Sequence, residues 1–327
     1  MQISKKGGIS IFLVAAVALT VIILTHNNPD ADQAEELLKK GISVVVILFS
    51  CLIFVRWYDK FTVLPMELWQ SRHLIWKLAK NDFKKRYAGS YLGAVWAMAQ
   101  PVVTVGMYYV VFDVIMGGNA SRTSADVPFV LFLTAGLVPW FFFSEALNNG
   151  TNALREYNYL VKKMVFKISM LPVIKVIAAT FIHAFFVLLL LIVAAIYGYY
   201  PTIYTIQLFY YSACLFIFVL ALCYTTCAVV VFFNDLVQII SIALQIGMWA
   251  TPILWDINNL GTSRLVAVLK LNPLVYIVNG YRSAIYEREW FFQDFFSTMY
   301  FWIVTVVLFG IGALIFKRLK VHFADVL

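Results

Sequence analysis

The 327-residue sequence is 62% hydrophobic and only 13% charged, and its formal net charge is +8. Soluble domains contain about 45–50% apolar and about 25% charged residues, so this composition excludes an ordinary soluble protein. The basic residues concentrate in particular loops, which fits membrane topology better than nucleic-acid binding. We therefore expect an integral membrane protein.

Eight apolar segments are candidates for membrane-spanning helices, which need about 20 mostly apolar residues. They are residues 9–25, 41–57, 92–116, 127–147, 172–197, 203–233, 237–255 and 295–316. The first follows Lys5 and Lys6 and could be read as a signal peptide. No small-x-small cleavage pattern precedes the polar stretch that starts at His26, which favours a retained anchor.

The distribution of Lys and Arg predicts the orientation of these spans. If the N-terminus is cytoplasmic, 18 of the 25 basic residues lie on the cytoplasmic side and seven lie outside. This is the bias of the positive-inside rule. The sequence thus predicts a multi-pass protein with both termini in the cytoplasm.

Residues 65–87 are predicted to form an amphipathic helix that begins at Pro65, a position where helices tolerate proline. Apolar residues that include Trp69 and Trp76 fall on one arc, and lysines fall on another. Such a helix is typical of the membrane interface, with tryptophan at headgroup depth and lysine toward water and anionic lipid. The alternative is a solvated helix packed on a partner protein.

Residues 256–290, on the predicted outer side, contain an apolar stretch interrupted by Asn272 and Pro273. The stretch is too short and too broken to cross a bilayer. We expect two short helices that dip into the outer leaflet.

The sequence contains none of the motifs that bind nucleotide phosphates, the zinc of metalloproteases or a hydrolase nucleophile. Its four cysteines, Cys51, Cys214, Cys223 and Cys227, lie in apolar runs without a metal-binding spacing, so neither disulfides nor a metal site are expected. His183 lies within a span, where it could relay protons, although a packed histidine bonded to a neighbouring helix is favoured.

Acidic residues within spans would indicate an ion-coupled carrier. The candidates, Asp113 and Glu145, lie close to the ends of their spans. The energy for any transport is therefore expected to come from another protein. Aromatic residues make up 17% of the chain, either as an interfacial belt or as a surface that stacks on sugar rings.

Several stretches, in order, carry a resemblance to a known family: 81–96 (NDFKKRYAGSYLGAVW), 135–144 (AGLVPWFFFS), 159–164 (YLVKKM), 233–236 (FNDL), 251–255 (TPILW), 271–274 (LNPL), 280–282 (GYR) and 323–327 (FADVL). Together they resemble the permease subunits of type-2 ABC exporters for polysaccharides. The LVKK and GLVPWFFF runs are most similar to wall-teichoic-acid permeases, and O-antigen permeases share the same skeleton.

The resemblance implies an all-α integral membrane protein with about eight transmembrane helices. Residues 1–60 would form two extra N-terminal helices, residues 61–90 the interface helix, and residues 91–327 a six-span permease core with short outer re-entrant helices. The two N-terminal spans depart from the family's six-span pattern.

The resemblance also implies partners. Two copies of the chain would bind two ABC-type ATPase subunits, which would bind ATP and Mg²⁺, while this chain would bind no cofactor and would be no enzyme by itself. Residues 151–167 would be the coupling helix that docks into the ATPase. Its candidate contacts are Arg155, Glu156, Tyr157, Leu160, Lys162, Lys163 and Met164.

The implied cargo is a polymer linked to undecaprenyl diphosphate in a bacterial cytoplasmic membrane. Its diphosphate would enter near Trp69, Trp76, Lys84, Lys85 and Arg86, and its sugars would pass Trp96, Tyr108, Trp140 and Phe142. Teichoic acid is the first expectation, and O-antigen, capsule or rhamnan polymers are the alternative. A membrane glycosyltransferase and a drug or lipid efflux permease are further alternatives.

Overall fold

The computed structural model describes residues 5–25, 33–56, 58–86, 89, 91, 93, 95–115, 127–162, 167–261 and 264–327. Within these residues the regular structure is entirely helical. The chain divides into two compact units, Met1–Arg72 and His73–Leu327, which are described separately.

The first unit contains α1 (Lys5–Thr25), α2 (Gln33–Arg56) and α3 (Tyr58–Gln70). The rings of Phe12 and Phe54 stack at 4.0 Å, and Tyr58 meets Phe54 edge-on at 5.4 Å. No residue of α1 is buried. Because its exposed side chains are almost all apolar, α1 is suited to contact lipid.

The second unit begins with α4 (Arg72–Arg86) and α5 (Val95–Tyr109), and a π-helical turn, Val110–Ile115, continues α5. Its longest helices are α6 (Phe129–Thr151), α9 (Met170–Ile196), α10 (Gln207–Val230) and α14 (Phe295–Leu319). Two one-turn helices, α7 (Ala153–Glu156) and α8 (Asn158–Val161), lie between α6 and α9. The remaining helices are α11 (Leu236–Ala250), α12 (Arg264–Leu269), α13 (Pro273–Arg282) and α15 (Phe323–Val326).

The core of the second unit lies where α6 and α10 meet α9 and α14. Helix α6 is buried over most of its length, whereas α14 buries only Phe301, Thr305, Gly312 and Phe316. Gly312 allows a close approach, because a methyl group there would lie 2.9 Å from both the Ala221 carbonyl oxygen and the Thr225 hydroxyl of α10. Small residues at such contacts let helices pack closely in a membrane, where lipid is as apolar as the side chains.

Among the described residues, six helices are long and apolar enough to span a membrane, and they correspond to six of the eight predicted spans. The predicted span 92–116 coincides with α5 and the π-helical turn that continues it, residues 95–115, and the predicted span 237–255 with the 15-residue α11, Leu236–Ala250. Helix α11 ends at Ala250 because Pro252 follows and Thr251 is already extended. The prediction of an all-α multi-pass membrane protein is confirmed.

The predicted interface helix has different bounds in the structure. Helix α3 begins at Tyr58, and Pro65 lies within it rather than at its first turn. A turn at Ser71 then separates α3 from α4. The prediction of one helix over residues 65–87 was wrong, because a proline does not have to begin a helix.

The predicted pair of short helices after α11 is confirmed as α12 and α13. Asn272 caps α13 by accepting a hydrogen bond from the Leu274 amide at 3.1 Å, and Pro273 occupies the first turn. Proline is favoured there because it has no N–H to satisfy and its φ already suits a helix.

The two ends of helix α10 define two ends of the second unit. Near its start, the Gln207 amide donates to the Glu289 carbonyl at 2.8 Å. Near its end, the Thr151 and Thr226 hydroxyls lie 2.9 Å apart. At about 1.5 Å per residue, Gln207 and Thr226 are roughly 28 Å apart, close to the thickness of a bilayer core. We call these the Gln207 end and the Thr226 end.

Candidate coupling site

Helix α4 brings an acidic residue into the second unit near the Thr226 end. Ile75, Ala79 and Asp82 recur at intervals of four and three residues, so they share one helix face, and all three are buried. On the same side, the rings of Trp76 and Phe83 contact Phe181 of α9, at 5.2 and 5.7 Å. The face that fixes α4 to α9 therefore also buries a carboxylate.

Lys175, in the second turn of α9, compensates this carboxylate. Its Nζ lies 2.6 Å from Asp82 Oδ1 and 2.5 Å from Glu156 Oε2. Only 4% of Lys175 is exposed, whereas Glu156 is exposed. A buried ion pair of this kind contributes little net stability, yet removing one partner alone is costly because a buried charge then loses its compensation.

Tyr157, between α7 and α8, binds the same carboxylate. Its hydroxyl donates to Asp82 Oδ1 at 2.7 Å, and Lys175 Nζ lies 5.0 Å from the centre of its ring. Burial, followed by the hydrogen bond to Asp82, raises the pKa of the Tyr157 hydroxyl well above its ordinary value. The tyrosine therefore stays protonated and remains a donor.

Arg86, one turn after Asp82 on α4, extends the contacts to α6. Its guanidinium pairs with the Glu145 carboxylate and lies 3.9 Å from Asp82 Oδ2. Arg86 and Glu145 are each a quarter exposed at the side chain, so this pair is more accessible than Lys175.

These residues form one connected group, which we call the Lys175 cluster: Asp82, Arg86, Glu145, Glu156, Tyr157 and Lys175. The cluster ties α4, α6 and α9 to the segment between α6 and α9. In the part of the chain that the structure describes, no group of three or more His, Cys, Asp or Glu could hold a metal ion. The arrangement suits a mechanical joint, because a displacement of Glu156 or Tyr157 acts directly on charges held by three helices.

The segment 153–162 has a buried and an exposed side. Ala153, Leu154, Tyr157 and Val161 are buried, whereas Arg155, Glu156, Asn158, Tyr159 and Lys162 are exposed. A groove of about 480 Å³ runs beside the exposed side and is lined by Asn152, Arg155, Glu156, Asn158 and Leu327. The segment thus holds the Lys175 cluster on one side and offers a polar surface with one exposed tyrosine on the other.

Comparisons with known proteins show to which family the chain belongs. The family model for ABC-2 type transporters matches residues 73–286. The chain belongs to the ABC-2 type transporter family. The resemblance inferred from its motifs is confirmed.

Individual relatives of this ABC-2 family chain are exporter components. The O-antigen export system permease protein RfbA of Myxococcus xanthus is 30% identical over 263 residues, which cover 80% of this chain and 98% of the relative. An RfbA of Klebsiella pneumoniae is 25% identical over 76% of this chain and 93% of that protein. The polysialic acid transport protein KpsM of Escherichia coli is 24% identical over 72% and 90% respectively.

The predicted coupling residues of this ABC-2 family chain are divided between the two sides of the segment. Arg155, Glu156 and Lys162 are exposed, and Leu160 is half-buried. Tyr157 is buried, and its hydroxyl donates to Asp82. Lys163 and Met164 lie outside the described residues.

The structure describes all five residues predicted near the cargo entrance. Trp69 is 70% exposed on α3 in the first unit. On α4, Lys84 and Lys85 are exposed, whereas Arg86 already pairs with Glu145. Trp76 keeps half its surface exposed while its ring edge meets Phe181. Of the three basic residues predicted at the entrance, Lys84 and Lys85 therefore remain available to an anion, and Lys77 and Lys80 of α4 are exposed as well.

The four aromatic residues predicted along a sugar path lie on two helices, α5 and α6. Trp96 is exposed and Tyr108 half-buried on α5. Trp140 packs against Gly247 of α11, and Phe142 lies 4.6 Å from the His183 ring of α9. Trp140 and Phe142 are thus core residues. The sequence did not show this, because aromatic content alone does not tell which face of a helix is open.

His183 is a packed histidine, as the favoured interpretation predicted. Its Nε2 lies 3.1 Å from the Ser212 hydroxyl of α10 and 2.9 Å from the Tyr281 hydroxyl of α13. The two hydroxyls lie 2.6 Å apart. This triangle joins α9, α10 and α13 in the interior of the second unit.

Two members of the Lys175 cluster, Asp82 and Lys175, were not predicted as functional residues from the sequence. Lys175 carried a signal, because it lies inside the predicted span 172–197, where a charged residue needs a partner. Asp82 carried a weaker one, since it stands one helical turn before Arg86.

Proposed function

We propose that this chain is the permease subunit of an ATP-driven exporter that moves a lipid-linked cell-surface polysaccharide across the bacterial cytoplasmic membrane. Two copies would assemble with two ABC-type ATPase subunits, which bind ATP and Mg²⁺. This chain would carry the passage and catalyse no reaction itself. Membership of the ABC-2 family and the names of the relatives support the transport class and the polymer class.

The observation that carries the proposal is the two-sided segment 153–162. Its exposed side presents Arg155 and Tyr159, and arginine and aromatic residues are enriched at protein interfaces. Its buried side is fixed to α4 and α9 through Tyr157 and Lys175. Closure of the ATPase subunits on ATP would push this segment, and the Lys175 cluster would pass the displacement to α4, α6 and α9.

The proposed topology places the Thr226 end and both termini in the cytoplasm. The Lys175 cluster and Lys84 and Lys85 then lie on the cytoplasmic side. Lysine binds phosphate as a point charge, so Lys84 and Lys85 suit the diphosphate of an undecaprenyl-linked polymer as it enters. Two versions of the cargo follow: a wall teichoic acid, from the LVKK and GLVPWFFF runs, or an O-antigen, capsule or rhamnan polymer.

The docking surface is tested by co-purification of the full-length chain with its ATPase from membranes. Lys162→Glu combined with Lys163→Glu should reduce the amount of bound ATPase, because two charges at the contact are reversed. Tyr159→Ala should reduce it as well. Lys317→Glu, which reverses an exposed lysine at the end of α14, is the matched control and should leave binding unchanged.

Equal recovery of the ATPase with all variants would show that residues 153–162 are not the docking site. Delivery of polymer by reconstituted permease without any ATPase would contradict the whole proposal. The entrance is tested separately with Lys84→Glu and Lys85→Glu, which should impair export while the ATPase still co-purifies.

A further inference from the structure

A second cavity, of about 540 Å³, lies at the Gln207 end of the second unit and is named here the Arg282 cavity. It is bordered by α13, by the turn Ser283–Glu287 that follows it, and by the segment that leads into α14. Its volume falls within the range of about 300–1,000 Å³ that is typical of ligand sites. It belongs to a single copy of the chain.

The aromatic wall of the Arg282 cavity is held rigidly. Gln207 accepts from the Phe291 amide at 2.7 Å and donates to the Glu289 carbonyl at 2.8 Å. The Phe291 ring stacks on Tyr210 at 4.2 Å, and Trp290 meets Tyr204 at 5.1 Å. Because these rings are fixed before any ligand arrives, the protein loses little conformational entropy when a ligand stacks on them.

Two buried polar groups of the cavity wall have unused hydrogen-bonding capacity. Arg282 is 3% exposed, and its Nη2 donates to the Ile253 carbonyl at 3.2 Å while its guanidinium lies 3.5 Å from the centre of the Phe132 ring. Its Nε and the buried Tyr286 hydroxyl have no hydrogen-bond partner among the described residues. Buried polar groups are normally satisfied, so these two indicate a place where a polar ligand binds.

The charges of the cavity wall restrict the class of ligand. Four acidic residues line it, Asp256, Glu287, Glu289 and Asp294, against two basic ones, Lys270 and Arg282. Carboxylates only accept hydrogen bonds when ionised, so they suit hydroxyl donors and repel phosphate. Aromatic faces beside carboxylates and amides match the apolar face and the hydroxyl edge of a sugar ring.

We propose that the Arg282 cavity binds an uncharged, hydroxyl-rich sugar unit of the exported polymer on the side where the polymer leaves. The proposal rests on the proposed function and chooses between its two versions of the cargo: the wall favours a neutral glycan over a poly(glycerol phosphate) chain. Since the cavity and the Lys175 cluster lie at opposite ends of α10, the sugar site and the coupling site are separate.

The test uses the purified full-length chain in lipid nanodiscs and two probes of equal unit number, maltotriose and a trimer of glycerol phosphate. Ligand-observed NMR titration gives the Kd of each. We expect maltotriose to bind about tenfold or more tightly than the phosphate trimer, because the wall carries an excess of carboxylates. The double variant Glu287→Lys/Glu289→Lys should reverse this preference.

Trp290→Ala should weaken maltotriose binding by roughly three- to tenfold, the range expected for the loss of one stacking ring. Trp290→Phe, which keeps a ring, should retain most of the affinity and shows that the loss is not due to misfolding. Trp249→Ala and Asp235→Lys are matched controls, because both residues are exposed and lie outside the cavity wall. Neither should change the Kd.

Equal affinity for the two probes, or maltotriose binding that is unchanged in Trp290→Ala, would overturn the assignment of the cavity. Neither result bears on the co-purification with the ATPase, so the sugar site can fail while the exporter proposal stands. Conversely, loss of the ATPase interaction would not change the measured Kd of the isolated chain.

Discussion

The two ends of α10 use buried charge in opposite ways. At the Thr226 end, Lys175 is compensated by Asp82 and Glu156, and the Tyr157 hydroxyl has its acceptor. At the Gln207 end, the Tyr286 hydroxyl and Arg282 Nε are buried without a partner among the described residues. The first arrangement holds helices together, and the second leaves hydrogen-bonding capacity for a molecule that comes and goes.

This difference predicts at which end of α10 the removal of a polar group lowers the free energy of unfolding. At the Lys175 cluster, Asp82 Oδ2 has no hydrogen bond, but Lys175 compensates the charge of the carboxylate, so deleting the lysine leaves a buried charge unpaired, which is costly. Where a group is unsatisfied, deleting it removes a cost instead. Stability should therefore fall for changes at the Lys175 cluster, whereas changes at the Arg282 cavity should affect ligand binding.

The largest effect is expected for Lys175→Met. The change leaves the Asp82 carboxylate buried without its ammonium partner, and such losses cost about 3–5 kcal/mol of unfolding free energy. Thermal unfolding of the purified chain in detergent measures the effect as a lower Tm. Lys317→Met, at an exposed lysine, should stay within about 0.5 kcal/mol of the parent.

The double variant Lys175→Met/Asp82→Asn tests the cause of that loss. It removes both charges of the pair, so it should recover part of the stability lost in Lys175→Met. If the double variant is as unstable as the single one, packing rather than the ion pair accounts for the loss, and the view of the cluster as an ionic joint is wrong.

The next effect is expected for Tyr157→Phe. It removes a hydrogen bond to a charged group, which is worth about 1.5–3 kcal/mol, although Lys175 still compensates Asp82. The same unfolding experiment measures it. Tyr159→Phe is the matched control, because Tyr159 is half exposed and its hydroxyl can bind water. Equal Tm values for the two variants would contradict a structural role for the Tyr157 hydroxyl.

The helices were predictable from the sequence where local chemistry decides them. Six apolar runs are spans because a bilayer requires about 20 apolar residues, and Asn272-Pro273 begins α13 because that pair caps a helix. The run at residues 237–255 was also predicted to span the bilayer, yet the helix there, α11, has only 15 residues. It ends at Ala250 because Thr251 is extended and Pro252 follows, and hydropathy does not register this.

The Lys175 cluster could be predicted only in part, because its members are distant in sequence. Lys175 and Asp82 are 93 residues apart, and no local pattern joins them. Of the charged residues in the predicted spans, the acids Asp113 and Glu145 were considered as functional candidates, whereas Lys175 was not. A lysine among apolar residues should have been given the same weight, since it too requires a partner.

The smallest effect on stability is expected for Tyr286→Phe at the opposite end of α10. Its hydroxyl is buried without a hydrogen-bond partner among the described residues, so its removal should leave the unfolding free energy unchanged or raise it by up to about 1 kcal/mol. The ring and its contact with Tyr199 are retained.

The same variant should weaken maltotriose binding, because the hydroxyl is then absent from the cavity wall. Stability and affinity would thus move in opposite directions, unlike at Tyr157. A Tm that falls as far as in Tyr157→Phe would show that both ends of α10 are structural joints, and the Arg282 cavity would lose its distinction as a ligand site.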